Sequence, residues 1–243
     1  MRISRLSLSN HRPRSSSAAF SLIEMIVVIA ILAVLATLAI PAINRALITT
    51  QRAQGASNMK SIGAGIHLYA AENNGRLPGT SGHGSTNTWI EELRAPLGND
   101  YDQIRISPAD PKGPERLAGG GTSYLMTARV NEMAYADPFG EIDPEEPIYN
   151  NMNKIDSPSR VILLFHGAAN KGTAASEDHI CGDITTWSGF RSETWPDAYG
   201  GEVGGDGEEG SANYLFADGH VQNIPARVVK QRIETGEDIS ILY

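Results

Sequence analysis

The chain has 243 residues, 41% of them hydrophobic and 20% charged, with a formal charge of −8, which leaves room for one long helix and a modest globular head. Residues 1–19 hold four arginines (Arg2, Arg5, Arg12, Arg14) and no acid, so the rest of the chain carries −12. So acidic a body excludes nucleic acid as a partner, because binding it needs a basic face.

Residues 20–43 read FSLIEMIVVIAILAVLATLAIPAI, with Glu24 as the one charge. At ~1.5 Å per residue the run reaches about 33–36 Å, enough to cross a hydrocarbon core of roughly 30 Å. The arginine-rich flank predicts a cytoplasmic N-terminus and an outside location for the chain beyond the run. A cleaved signal peptide has a shorter apolar region with its small-residue site after it. Here the small cluster Ser17-Ala18-Ala19 comes before the run. A plain signal anchor accounts for length and flank but not for Glu24, since a carboxylate inside a membrane helix is a functional hypothesis by default.

The stretch Ala19-Phe20-Ser21-Leu22-Ile23-Glu24-Met25 resembles the class III prepilin signal of type IV pilins and type II secretion pseudopilins. The resemblance covers residues 19–45 and includes Pro41; Ala19 stands where Gly is usual. It implies cleavage between Ala19 and Phe20 by a prepilin peptidase that also N-methylates the new terminus. It implies assembly roles for Phe20, Glu24 and Pro41. The implied partners are that peptidase/N-methyltransferase, other pilin or pseudopilin subunits, the inner-membrane assembly platform and membrane lipid. The implied location is a single-pass inner-membrane protein with a periplasmic head, passing later into a filament or to the cell surface.

The helical pattern continues beyond Pro41. Ile43, Leu47, Ala53, Met59, Ile62, Ile66 and Tyr69 recur near i, i+3 and i+4 spacings among polar residues. The spacing predicts a helix over about 21–74, kinked at Pro41 and stopped at Asn73-Asn74-Gly75. Gly55, Gly63 and Gly65 weaken it locally, and close packing against the head is the expected reason. The passage from Met59 to Asn74-Gly75-Arg76-Leu77-Pro78 resembles the helix-to-head junction of type II secretion pseudopilins.

The head reads as loop-rich α+β. Strands are expected at Ser123–Thr127, Arg160–His166, Ala212–Ala217 and His220–Ile224. Asp218-Gly219 between the last two predicts a hairpin with a type I′ turn. Pro225 opens a short helix over 225–235. Residues 78–88, 107–122, 136–158 and 198–211 read as long loops. The run Ala212 to Val221, ending Asp218-Gly219-His220-Val221, resembles the prepilin-processing-associated family named for a His, nine residues, then Asp-Gly. Glu208 stands where that family has its His. Ser107-Pro108-Ala109-Asp110 and Ser159 to Leu164 resemble that family's head as well.

Chemistry is sparsely signalled. Phosphate-loop, CxxC, HExxH and GxSxG patterns are absent, so the expectation is no enzyme. His166, His179 and His220 are scattered and lack zinc spacing. Cys181 reads as a small buried hydrophobe, because no Cys–His signature surrounds it, and as the one cysteine it has no disulfide partner within the chain. Asp206, Glu208 and Asp218 are candidate calcium ligands, since a hard cation wants several oxygens from a flexible loop; a solvated acidic loop is the alternative.

The expected organisation is a basic leader over 1–19, a membrane and assembly helix over 20–43, its amphipathic continuation over 44–76, and an acidic α+β head over 77–243. The long helix should pack on a small antiparallel sheet. The expected function is a structural subunit of a type IV pilus or type II secretion pseudopilus. The alternative is a minor pilin or tethered binding module, with Trp89, Trp187 and Trp195 as surface aromatics.

Overall fold

The computed structural model describes residues 21–81, 88–130, 148–182, 184–201 and 205–241. The chain divides between Asn44 and Arg45 into two compact units. Helix α1, Leu22–Glu72, belongs to the first unit up to Asn44 and to the second from Arg45. It runs through Pro41 without a break. Its end is a Schellman motif. The Gly75 amide reaches back to the Ala70 carbonyl at 2.7 Å, and Asn74 takes the left-handed conformation at φ 57°.

Within the second unit the helical stripe is Gly55, Asn58, Met59, Ile62, Ile66 and Ala70, all buried. Leu47, expected on that stripe, is exposed. Short helices follow: α2 (Trp89–Glu92), α3 (Arg94–Leu97), α4 (Tyr101–Ile104) and α5 (Gly113–Ala118). Four strands come next: β1 (Tyr124–Met126), β2 (Ile162–His166), β3 (Ser211–Phe216) and β4 (Val221–Pro225). They form one antiparallel sheet in chain order. Helices α6 (Trp187–Glu193) and α7 (Ala226–Glu234) complete the unit. The fold class is α+β, and all four expected strands are present within two residues of their expected limits.

Both faces of the sheet are covered, so β2 and β3 are buried along their whole lengths. Met59, Ile62 and Ile66 share one core with Trp89, Tyr101, Met126 and Leu215. Leu125, Phe165, Phe190, Tyr214, Ile224, Val229 and Ile233 form the core on the other face. Each fully buried apolar side chain contributes roughly 1.5–3 kcal/mol relative to exposure. The β2–β3 register shifts between Ile162 and Leu164. That bulge puts the adjacent Leu163 and Leu164 into the helix-side core, while Ile162 and Phe165 enter the other; one extra residue reverses the strand's alternation.

Gly55, Gly63 and Gly65 serve close packing, as expected. A Cβ on Gly63 would stand 2.9 Å from Leu215 Cδ1, and one on Gly65 2.8 Å from Leu97. The β3–β4 hairpin differs from the type I′ expectation. The Gly219 amide bonds the Phe216 carbonyl and the Phe216 amide bonds the His220 carbonyl, both at 2.9 Å. Gly219 has φ 87°, whereas Asp218 is not left-handed. The loop is therefore three residues with a glycine bulge. The Ala217 amide is spent on the Val161 carbonyl instead of extending the hairpin ladder.

Candidate functional site: the N-terminal assembly segment

Ala19 and Phe20 lie outside the described residues. Helix α1 begins directly after Ser21, and its first turn is self-satisfied. The Ser21 amide donates to Glu24 Oε2 at 2.8 Å, and Ser21 Oγ accepts from the Ile23 amide at 3.3 Å. Ser21-Leu22-Ile23-Glu24 is thus a capping box, with serine at the N-cap and glutamate three residues on. A carboxylate here also meets the positive end of the helix dipole. A lone carboxylate in an apolar helix needs a proton or a partner, and the structure gives Glu24 a backbone donor.

Beyond Glu24 the helix is apolar on every side. Met25, Ile26, Ile29, Leu32, Leu35, Leu38 and Ile43 are all exposed, and the span is long and apolar enough to cross a membrane. The one hydroxyl in mid-span, Thr37, donates back to the Val34 carbonyl at 2.8 Å. A helix that is hydrophobic all round belongs in lipid or among other helices. Pro41 brings no amide for the carbonyl four residues before it, which loosens the helix there.

Residues 14–40 match the prokaryotic N-terminal methylation motif. That motif, together with the long apolar helix, is consistent with a type IV pilin-like precursor. The chain matches none of the curated proteins and none of the solved structures it was compared with.

The acidic candidates in the head do not converge. Glu208 and Asp218 flank opposite ends of β3, a six-residue strand, and ~3.3 Å per residue separates those ends by roughly 20 Å. Glu208 pairs with Lys230 on α7, and its amide donates to Asp206 Oδ1 at 3.0 Å. Asp218 takes the His220 ring at 2.5 Å and the His220 amide at 3.0 Å. Burial pushes the Asp218 carboxyl up, but these His220 contacts outweigh it and hold the carboxyl below the usual range. Among the described residues no group of three or more His, Cys, Asp or Glu is placed to hold a metal ion. Asp206 instead lines a small acidic cleft with Asp197 and Glu209.

The other singled-out side chains sort by environment. Trp89 is fully buried and donates its indole N–H to the Asp178 carbonyl at 2.8 Å, so it is core and not a binding surface. Trp187 and Trp195 are half-buried. His166 is buried, with Nε2 3.1 Å from the Tyr199 hydroxyl, and burial pushes its pKa down to about 4. Cys181 is exposed, contrary to the buried reading, and His179 stands against it. The sequence signal for that pair was their i, i+2 spacing, which puts both side chains on one side of an extended segment.

Proposed function

We propose that this chain is a structural subunit of a type IV pilus or type II secretion pseudopilus, acting by assembly and not by catalysis. Prepilin peptidase cuts the Ala19–Phe20 bond and methylates the new amine. The helix holds the subunit in the inner membrane with the acidic head outside, and then packs among the helices of other subunits. The observation that carries this reading is the Ser21–Glu24 capping box at the start of a helix exposed and apolar on every side.

Cleavage would place an α-amine, with a reference pKa of about 7.7–8.0, immediately before the Ser21 cap. It could pair with Glu24 of its own chain, one turn away, or with Glu24 of a staggered neighbour. The second pairing satisfies both charges in an apolar core and sets the axial register. Removing one partner of such a buried pair costs ~3–5 kcal/mol, because the other is left uncompensated.

The test is Glu24→Ala in a Cys181→Ser background, with single cysteines introduced near position 36 for cross-linking in cells. The variant should insert and be cleaved normally, yet cross-link between subunits far less. Equal cross-linking with and without Glu24 would remove the register role.

A further inference from the structure

Outside the assembly segment, three side chains of the head stand in a nucleophile, base and orienter arrangement. Cys181 Sγ lies 3.2 Å from His179 Nε2, and His179 Nδ1 lies 2.8 Å from Asp178 Oδ1. Asp178 is fully buried and His179 nearly so, whereas Cys181 is exposed. The Ser81 hydroxyl donates to Asp178 Oδ1 at 2.6 Å, and the Ser81 amide bonds both carboxylate oxygens at 3.0–3.1 Å. The backbone is fixed too. The Asp178 carbonyl accepts the Met126 amide at 2.9 Å, and the Ile180 amide returns to the Met126 carbonyl at 3.1 Å. Residues 178–180 are thereby zipped to the edge of the sheet at β1.

This order of contacts sets the proton positions. An ionised carboxylate only accepts, so Nδ1 carries the proton toward Asp178 and Nε2 faces the thiol. Burial alone would push His179 down, but Asp178 and Cys181 hold its pKa up at about 9. An imidazolium that touches the nucleophile and is itself oriented by a third group favours the thiolate, the form that attacks.

The surroundings select the reaction. Acyl transfer needs amide donors aimed at the developing oxyanion. The Cys181 amide is already spent on Glu193 Oε2 at 3.0 Å, and Lys171 neutralises that same carboxylate at 2.7 Å. Attack on sulfur requires no such donors. The geometry points to Cys181 as a nucleophilic thiol that exchanges with disulfides, with His179 as its ion-pair partner and Asp178 as the positioning residue. At pH 6 the proton of the pair rests on His179 Nε2, beside Sγ, and the sulfur attacks one sulfur of a disulfide. A Cys181–sulfur bond forms as the old sulfur–sulfur bond breaks, and the departing thiolate takes the proton back from His179. The disulfide is the only oxidant required.

Full-length protein in detergent provides the test. Cys181 is the single cysteine, so the guanidinium-unfolded chain is its own reference for intrinsic reactivity. The probe is 4,4′-dithiodipyridine, a neutral disulfide that an acidic head does not repel. At pH 6 the native thiol should react at least about tenfold faster than the unfolded one, because an unfolded thiol with an ordinary pKa of about 8.5 is almost wholly protonated there. His179→Gln, checked by circular dichroism to be folded at pH 6, should fall to the unfolded rate. Intact mass after glutathione disulfide, or after a disulfide-bonded protein, tells a small source from a protein source; an adduct with either supports the assignment. A native rate no faster than the unfolded rate overturns it, as does a His179→Gln variant as fast as wild type.

Discussion

Arg116 donates its Nε to Asp110 Oδ2 at 2.7 Å, with both side chains out of contact with water. Nη1 and Nη2 of Arg116 donate to the Gly172 and Ala168 carbonyls, and Asp110 also accepts the Ser123 hydroxyl and the Lys112 amide. The pair ties α5 to the segment after β2 and to the start of β1. Asp110 closes the Ser107-Pro108-Ala109-Asp110 stretch singled out in the sequence. A buried pair that loses one member leaves a bare charge, at a cost of ~3–5 kcal/mol. Asp110→Ala should therefore lower head stability by roughly that amount in thermal denaturation. Arg116→Met combined with Asp110→Leu should recover most of the loss, because apolar replacement of both members removes the uncompensated charge.

Gly55 predicts a second effect. A Cβ there would stand closer to the Tyr199 hydroxyl than any real contact permits. That hydroxyl is held by His166 and by Asn213 Nδ2, which also donates to the Arg52 carbonyl of α1 at 2.9 Å. Gly55→Ala gains up to ~1 kcal/mol in helix propensity but overpacks the site, at a typical cost of ~1–3 kcal/mol. Net destabilisation is expected in denaturant titration. The cost should shrink in a Tyr199→Phe background, where the colliding oxygen is gone.

Much of this fold was legible in the sequence. The membrane permits few residue types, so an apolar run with one carboxylate stood out. The strands were legible as short apolar runs, with Asp218-Gly219 marking their hairpin. The turn type was not, because the Ala217 amide goes to the neighbouring strand. Helices α2 and α6 were missed because a turn or two shows no period. Their starts rest on Thr88, which accepts the Glu91 amide, and Thr186, which accepts the Gly189 amide; Thr88-Trp89-Ile90-Glu91 has the capping-box spacing that could have revealed one of them. The inner stripe of α1 was only half visible, since Gly55, Asn58 and Gly63 occupy positions that hydrophobicity does not mark. Asp206, Glu208 and Asp218 lie close in sequence, but β3 intervenes and carries them apart.

Acid should weaken the head through His166. Burial holds its folded pKa at about 4, below the ordinary value of 6.5. Unfolding lets the ring take a proton, so stability is complete above pH 6.5 and declines as pH falls to 4, by ~3 kcal/mol in all. Carboxyls held low, such as Asp102 and Asp218, add their losses chiefly below that window, and Asp197, raised by burial, acts in the opposite sense. Urea midpoints measured between pH 7 and pH 4 should trace the decline. A ring titration by NMR should find His166 still neutral at pH 5; a midpoint near 6.5 would contradict the assignment.

His179 has the opposite sign. Its folded pKa of about 9 lies above the ordinary value, with Asp178 and Cys181 outweighing burial. Its contribution is complete below pH 6.5 and disappears as pH rises through 9. His179→Gln should flatten the alkaline decline in the same urea series while leaving the acid decline in place. An alkaline decline unchanged by the substitution would show that another group causes it.

The central claim is that the chain is a precursor trimmed for assembly, and the mass of the mature N-terminal peptide tests it most directly. Protein purified from cells with an intact processing pathway should yield a first peptide that begins at Phe20 and carries one N-methyl group. A chain that still begins at Met1, or one that begins after Ala42, would contradict the account.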